Sequence, residues 1–398
     1  MKAKEISTLL QPQEGRVHVV DVLRGIAIAG IVMIHFIEHL NFYVFPEPHS
    51  PFMAKIDAAV WDSIFFLLGG KMYAIFSLLF GFSFFIQFSN AAKKGYDFSR
   101  RFIWRMFLLM LLGIFDLCFY NGDILFVYAV CGILIIPFFK ASDKLLLSFA
   151  FIFFLQPIEL IYIIASIFIP DLQPLDLGSN SLFGAIVPAQ AEGDISDVAY
   201  AGIRYGLAVN FTWALEHGRL TQTICLFLLG IYLGRRRFFL DMLTNRNLWK
   251  KILLCGSLGL TVLYPLYNYL PSSFDNPCMA TSVNTILDMW KNFSMMTMIV
   301  TLVLLLFYGS KYRDALMKIA PYGKMSLTNY LGQSIFGSLI FYNWGFGLYM
   351  QFGHTTSFLL GIGFICLQYI FCRWWLKRHK RGPFEQLWSD GTHLKLAF

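Results

Sequence analysis

The sequence predicts an all-α protein: a polytopic bundle of about ten membrane-spanning helices with both termini on the cytoplasmic side. Three observations carry that expectation. Of 398 residues, 57% are hydrophobic, 18% aromatic and only 14% charged, whereas soluble domains carry roughly 25% charged residues. Apolar runs recur from end to end at the length a bilayer requires, about 20 residues. The remaining charges cluster between those runs. With a mean hydropathy of +0.60, the chain has too little polar surface for a water-soluble enzyme. A secreted disulfide scaffold, a disordered tail and a coiled coil are excluded as well.

Taken in order, the apolar runs cover 18–40, 60–89, 104–120, 123–140, 144–169, 219–234, 249–270, 286–309, 325–350 and 355–377. The second is interrupted by Gly69, Gly70 and Lys71, which predicts a broken helix. Phe82 to Phe88 reads as a lipid-facing stretch. No fixed-period repeat is visible, so a transporter built from inverted repeats gains no support. Seven cysteines, none in a C-x-x-C pair, suggest neither a disulfide framework nor a zinc cluster. The first apolar run has no small-residue cleavage site, so no cleavable leader is expected.

The loops alternate in charge. Lys93, Lys94, Arg100, Arg101 and Arg105 lie between the second and third runs, and Arg235, Arg236, Arg237, Arg246, Lys250 and Lys251 between the sixth and seventh. Lys311, Arg313, Lys318 and Lys324 follow the eighth, and Arg373, Lys377, Arg378, Lys380 and Arg381 the tenth. Segment 170–217 instead carries six acids against Arg204 alone. Because cytoplasmic loops accumulate Lys and Arg, the chain reads as one integral domain over 1–398, in a bacterial-type inner membrane. It has a cytoplasmic segment at 1–17, an external acidic loop at 170–217 and a cytoplasmic tail at 378–398. The net charge of +8 is thus loop charge facing lipid headgroups, and no nucleic-acid partner is expected.

The first run holds the densest polar chemistry. With Arg24 at zero and 100° per residue, Asp21, His35, Glu38 and His39 fall at roughly 60°, 20°, −40° and 60°. Five ionisable side chains then share one stripe of a membrane helix. A charge at mid-bilayer costs at least ~2.5 kcal/mol, so the stripe must face protein or a wet cavity. Asp21 and Arg24, at i and i+3, read as an interfacial ion pair. That pair does not explain His35, whose Cα lies roughly 21 Å beyond Asp21 at 1.5 Å per residue. His35-Phe36-Ile37-Glu38-His39 also fits H-x-x-E-H, in which two histidines at i and i+4 bind zinc beside a glutamate base. Glu216, His217 or Asp57 would have to supply a third ligand, and none has a motif of its own.

R-x-x-x-x-D-x-L-R-G-x-A, followed by a histidine fourteen residues after the aspartate, resembles the opening helix of acyltransferase-3-type integral membrane acyltransferases and of the heparan-glucosaminide acetyltransferase relatives. Segments K-M-Y-A-I-F-S-L-L-F-G-F-S-F (71–84), N-G-D-I-L-F-V-Y-A-V-C-G (121–132), Y-G-K-M-S-L-T-N-Y-L-G-Q-S (322–334) and G-P-F-E-Q-L-W (382–388) are similar to the YeiB-type family, grouped with these transmembrane acyltransferases. The resemblance covers the whole chain. It implies an acyl-CoA (acetyl-CoA) donor, a catalytic role for His35, and a role for Arg24 as the arginine of the same helix. The R-x-x-R expected after the second span is not clearly reproduced, since Arg101 and Arg105 are four apart.

Other polar groups lie within the runs. Lys71 marks the break in the second, with Asp62 or Asp123 as a structural partner. Asp116 lies in the third, Asp123 opens the fourth, and Glu159 follows Gln156-Pro157 in the fifth, where Gln156 could satisfy the carbonyl that proline frees. Asn329 reads as a polar helix–helix contact. The tail places Phe384, Leu387 and Trp388 in water unless it packs back on the bundle.

The leading expectation is an acyl-CoA-dependent transmembrane acyltransferase. Arg24, Lys71, Arg101 and Arg105 would bind the donor's phosphates. His35 would act as base or transient acyl carrier, oriented by Glu38, on a glycan or small-molecule acceptor from the outer side. A transporter or lipid flippase, and a metal-dependent hydrolase using H-x-x-E-H, are the rivals; for the first reading no metal is expected.

Overall fold

The computed structural model describes residues 17–240, 242–309 and 311–393, so most of the expected N-terminal segment and the last five residues of the tail lie outside the described residues. These residues form seventeen α-helices joined by turns and short 3-10 segments. In chain order they are α1 His18–Ile37, α2 Pro51–Leu68, α3 Lys71–Lys93, α4 Ser99–Leu117, α5 Leu125–Leu134, α6 Asp143–Phe154, α7 Pro157–Phe168, α8 Ser179–Glu192 and α9 Ile195–Glu216. They continue with α10 Arg219–Arg235, α11 Met242–Tyr269, α12 Pro277–Gly309, α13 Arg313–Met317, α14 Ala320–Lys324, α15 Ser326–Phe341, α16 His354–Trp375 and α17 Pro383–His393.

The all-helical class holds, and the chain is a multi-pass membrane protein. Ten spans are not confirmed. Among the described residues, five segments are long and apolar enough to cross a bilayer: His18–Ile37, Pro51–Lys93, Asn245–Ser273, Pro277–Gly309 and His354–Trp375. The pair α6–α7, bent by 50°, makes a sixth if counted as one span. The shortfall has physical causes. Pro137 turns the fourth run into a 3-10 segment after only ten helical residues of α5. The fifth run breaks at Gln156, which stands at φ 57, and its side chain accepts a hydrogen bond from Thr221 Oγ1 rather than capping a freed carbonyl. The ninth stops at Phe341. Segment 170–217 is mostly not a loop: α8 and α9 occupy it, with Asp194 and Asp197 forming a capping box at the start of α9.

The core is built on α3. Gly70, at φ 72, turns the chain between α2 and α3, so the expected break is present. Along α3, Gly81 lies against the backbone of Phe227, and Gly230 of α10 against the carbonyl of Leu78. The two helices are in backbone contact there, and they run parallel, with Gly70 beside Arg219 at one end and Gly234 beside the Phe85 ring at the other. Phe82, Phe84, Phe85 and Phe88 are buried here, which corrects the lipid-facing expectation. Phe82, Phe84 and Phe88 interlock with Phe102, Phe139, Phe227 and Phe239 through edge and stacked contacts. α1 runs antiparallel to α3, with Gly30 against Met72 and Arg24 bonded to Ser83.

These pairings define two ends. One collects the bases. Arg235 donates to the carbonyls of Phe138, Phe139 and Ala141 at 2.7–2.9 Å and, with Arg236, pairs with Asp143. There the tail does fold back: α17 lies on α4, with Arg105 3.5 Å above the Trp388 ring and Trp388 Nε1 donating to the Arg105 carbonyl. The opposite end holds the main cavity.

Candidate functional site

A cavity of about 920 Å³ opens at the end away from α17, a size suited to a small-molecule ligand. Its wall is assembled from element ends: His35 and Glu38 closing α1, Lys71 opening α3, Tyr120 and Asp123 between α4 and α5, and Arg219 opening α10. Asp288 and Lys291 come from within α12, Tyr330 from α15, and Asn210 and Trp213 from α9, which runs across this end. Gly202 and Gly206 let α9 close on Leu117.

The wall has two chemically different parts. In the first, Tyr120 Oη lies 3.1 Å from His35 Nε2, their rings 4.8 Å apart. Tyr330 stands edge-on to the same imidazole and donates to Asp123 at 3.4 Å. Asp123 in turn accepts from the backbone of Leu125 and Phe126 at 3.1 Å, capping α5 and fixing the loop that carries Tyr120. Among the described residues His35 Nδ1 has no hydrogen-bond partner, and Gln333 lies beside the ring. A half-buried imidazole with one nitrogen held and the other unengaged, on the wall of a cavity, can take a proton from a bound ligand.

In the second part, Asp288 accepts from Lys291 at 3.0 Å, Asn292 at 2.9 Å and Arg219 at 3.4 Å. Lys291 also lies 3.3 Å from the centre of the Tyr267 ring. Lys71 donates to the Phe65 carbonyl at 3.3 Å beside the Phe66 ring. Neither Asp62 nor Asp123 pairs with it, which corrects the expected ion pair.

The structure separates residues that the helical stripe put together. Asp21 and Arg24 do pair, at 3.3 Å, and Arg24 reaches Ser83. The helix then ends at Ile37, because His39, Leu40 and Asn41 all take left-handed backbone angles and Leu40 N–H bonds back to the His35 carbonyl at 2.7 Å. His39 is therefore off the stripe. Its Nε2 lies 2.8 Å from Ser357 Oγ, and its ring stacks on Phe341. The i, i+4 pair that the H-x-x-E-H reading requires is not formed. Glu38 lines the cavity, but the side chain bonded to His35 is that of Tyr120.

Arg101 and Arg105 belong to the far end, against Tyr96 and Trp388 respectively. Lys71 is not with them, since the 23 residues of α3 separate its ends by roughly 33 Å. Asn329 is the helix–helix contact expected, donating to the Tyr322 carbonyl at 3.0 Å while its own carbonyl accepts from Gln368 at 2.9 Å. Sequence reasoning missed Tyr120, Arg219, Asp288, Lys291 and Asn210. A signal existed for one pair: Asp288 and Lys291 are ionisable groups one helical turn apart inside an apolar run.

Residues 16–177 match a family model described as heparan-alpha-glucosaminide N-acetyltransferase, catalytic, and residues 233–395 match a protein family of unknown function, DUF418. The first region supplies His35, Lys71 and Asp123, the second Asp288, Lys291 and Tyr330, so the cavity is built from both. Relatives include the uncharacterized protein YxaH of Bacillus subtilis (strain 168), 28% identical over 95% of this chain and 94% of its own. The uncharacterized protein YeiB of Escherichia coli (strain K12) is 24% identical over 94% of this chain and 95% of its own. No solved structure matches. The two matched regions and the end-to-end likeness to YeiB support a YeiB-type family resembling the heparan-glucosaminide acetyltransferase relatives.

Proposed function

We propose that the chain is an acyl-CoA-dependent transmembrane acyltransferase, carrying an acyl group, acetyl in the simplest case, from a cytoplasmic donor to an acceptor on the outer side such as a sugar or envelope glycan. One observation carries the reading: His35, in the region that matches an acetyltransferase catalytic model, stands on the cavity wall with Tyr120 on one ring nitrogen and, among the described residues, no hydrogen-bond partner on the other.

On this reading the base-rich end faces the cytoplasm of a bacterial-type inner membrane. Arg24, Arg101 and Arg105 take the donor's phosphates, for which guanidinium groups fit. Lys71 leaves that set, because it lines the cavity. His35 lies roughly 16 Å along α1 from Arg24, so the donor's arm must cover that distance. The acceptor's hydroxyl or amine attacks the thioester carbonyl carbon while His35 removes its proton. The carbon–sulfur bond then breaks, and the proton passes to the leaving thiolate. If His35 is instead the acyl carrier, its free nitrogen makes the first attack.

The test is transfer from radiolabelled acetyl-CoA by purified protein in nanodiscs. His35→Ala is expected to abolish transfer while thermal unfolding and donor binding stay near wild type. Full transfer by that variant would overturn the mechanism.

A further inference from the structure

The second part of the cavity is more cationic than an ion-pair network needs to be. Lys71, Arg219 and Lys291 converge on it, and Asp288 is the one carboxylate hydrogen-bonded among them. Glu38 and Asp123 line the His35 part, and Asp62 of α2 also lines the cavity without pairing with Lys71. Lys71 has no ion-pair partner among the described residues.

Two helices also begin here. Gly70 precedes α3 and Gly218 precedes α10, both at positive φ, and neither helix has a side-chain cap. Their starts are held together, since Tyr73 Oη donates to the Arg219 carbonyl at 3.3 Å and a Cβ on Gly70 would lie 3.1 Å from the Arg219 guanidinium. The first-turn N–H groups of two helices, with the positive ends of their dipoles, therefore face the same region as three cations.

A further observation points to a ligand. Asn210, 6% exposed on the cavity wall, has an Nδ2 without a hydrogen-bond partner among the described residues. A buried donor left unmade costs about 1–3 kcal/mol, and an oxyanion would satisfy it together with the cations and both helix starts.

We infer that this part of the cavity is a phosphate-binding subsite, contacted by Lys71, Arg219, Lys291 and Asn210, and that the acceptor carries a phosphate group seated there while its nucleophile lies toward His35. Three cations outnumber Asp288 and Asp62 on this wall, and with the first turns of two helices they offer more donors than a carboxylate can take and enough for the three oxygens of a phosphate. The phosphate can belong to a lipid headgroup or to a soluble phosphorylated compound. The acceptor assignment rests on the acyltransferase reading; the anion site does not.

The test uses full-length protein in phosphatidylcholine nanodiscs, titrated with inorganic phosphate against chloride at constant ionic strength and read by calorimetry and thermal shift. Saturable, phosphate-specific binding is expected in wild type and equally in His35→Ala. Lys71→Gln should weaken it about tenfold or more, the loss of one charge-assisted hydrogen bond, and Lys71→Arg should restore it. Phosphatidylglycerol nanodiscs separate the two sources: competition with phosphate identifies a lipid headgroup, and undiminished phosphate binding a soluble ligand. Wild type that binds phosphate no better than chloride, or Lys71→Gln that binds as wild type does, overturns the subsite. If phosphate binding holds while His35→Ala retains transfer, the catalytic reading fails and the subsite stands.

Discussion

The hydroxyl of Tyr120 lies 3.1 Å from Nε2 of His35, although 85 residues separate them in the chain. The contact exists because Asp123 caps α5 and holds the turn that carries Tyr120 against the end of α1. It holds His35 on the wall of a ligand-sized space.

Tyr120→Phe keeps the ring packed against His35 and deletes only the hydroxyl. One hydrogen bond is worth about 1 kcal/mol, so kcat for acyl transfer should fall about fivefold with donor affinity unchanged. An unchanged kcat would show that Tyr120 packs against the imidazole without positioning it.

For His39 the expectation is the reverse of that for His35. Its ring is fully buried, bonded to Ser357 and stacked on Phe341, so His39→Ala should cost about 1–3 kcal/mol of stability by stranding the serine and losing the stack. Transfer per folded molecule should persist. Thermal unfolding paired with specific activity measures both, and a loss of transfer as complete as that of His35→Ala would put the two rings back into one site.

Gly81→Ala tests the helix contact behind the cavity. Its new methyl would enter the space of the Phe227 backbone, which cannot rotate away, so a loss of about 1–3 kcal/mol is expected from overpacking. Gly363 in α16 has nothing within 4 Å of an added Cβ, and Gly363→Ala should be neutral to mildly stabilising. Equal melting temperatures for the two variants would contradict the α3–α10 packing.

Docking of the tail should depend on pH. Glu385 of α17 accepts from Leu327 N at 2.7 Å, Thr328 N at 3.1 Å and Thr328 Oγ1 at 2.5 Å, at the start of α15. Burial raises its carboxyl above the ordinary glutamate value, and these hydrogen bonds only partly offset the rise. A raised folded value means that the contribution to docking is complete below the ordinary value and is lost as pH rises through the folded one. Proteolysis of the tail should therefore accelerate toward alkaline pH, and Glu385→Gln should flatten the profile. A wild-type rate that does not change with pH would refute this.

Composition and hydropathy determined the helical membrane class, because a chain this poor in charge cannot solvate its surface. Local chemistry determined the break at Gly69–Gly70, the Asp21–Arg24 pair and the return of Phe384 and Trp388 to the bundle, since each follows from neighbours in sequence. The helical stripe through Asp21, Arg24 and His35 was legible for the same reason. Its extension to His39 was not, because the left-handed run at His39–Asn41 is held by contacts from α15 and α16 rather than by residue type. Only the tertiary structure decided that Phe82 to Phe88 face protein: burial depends on which helix lies alongside, and lipid and core are equally apolar. It alone brought Tyr120 to His35 and gathered Lys71, Arg219, Asp288 and Lys291, because their meeting requires α1, α3, α10 and α12 to place their ends and turns at one level of the bundle, a long-range arrangement that no local spacing encodes.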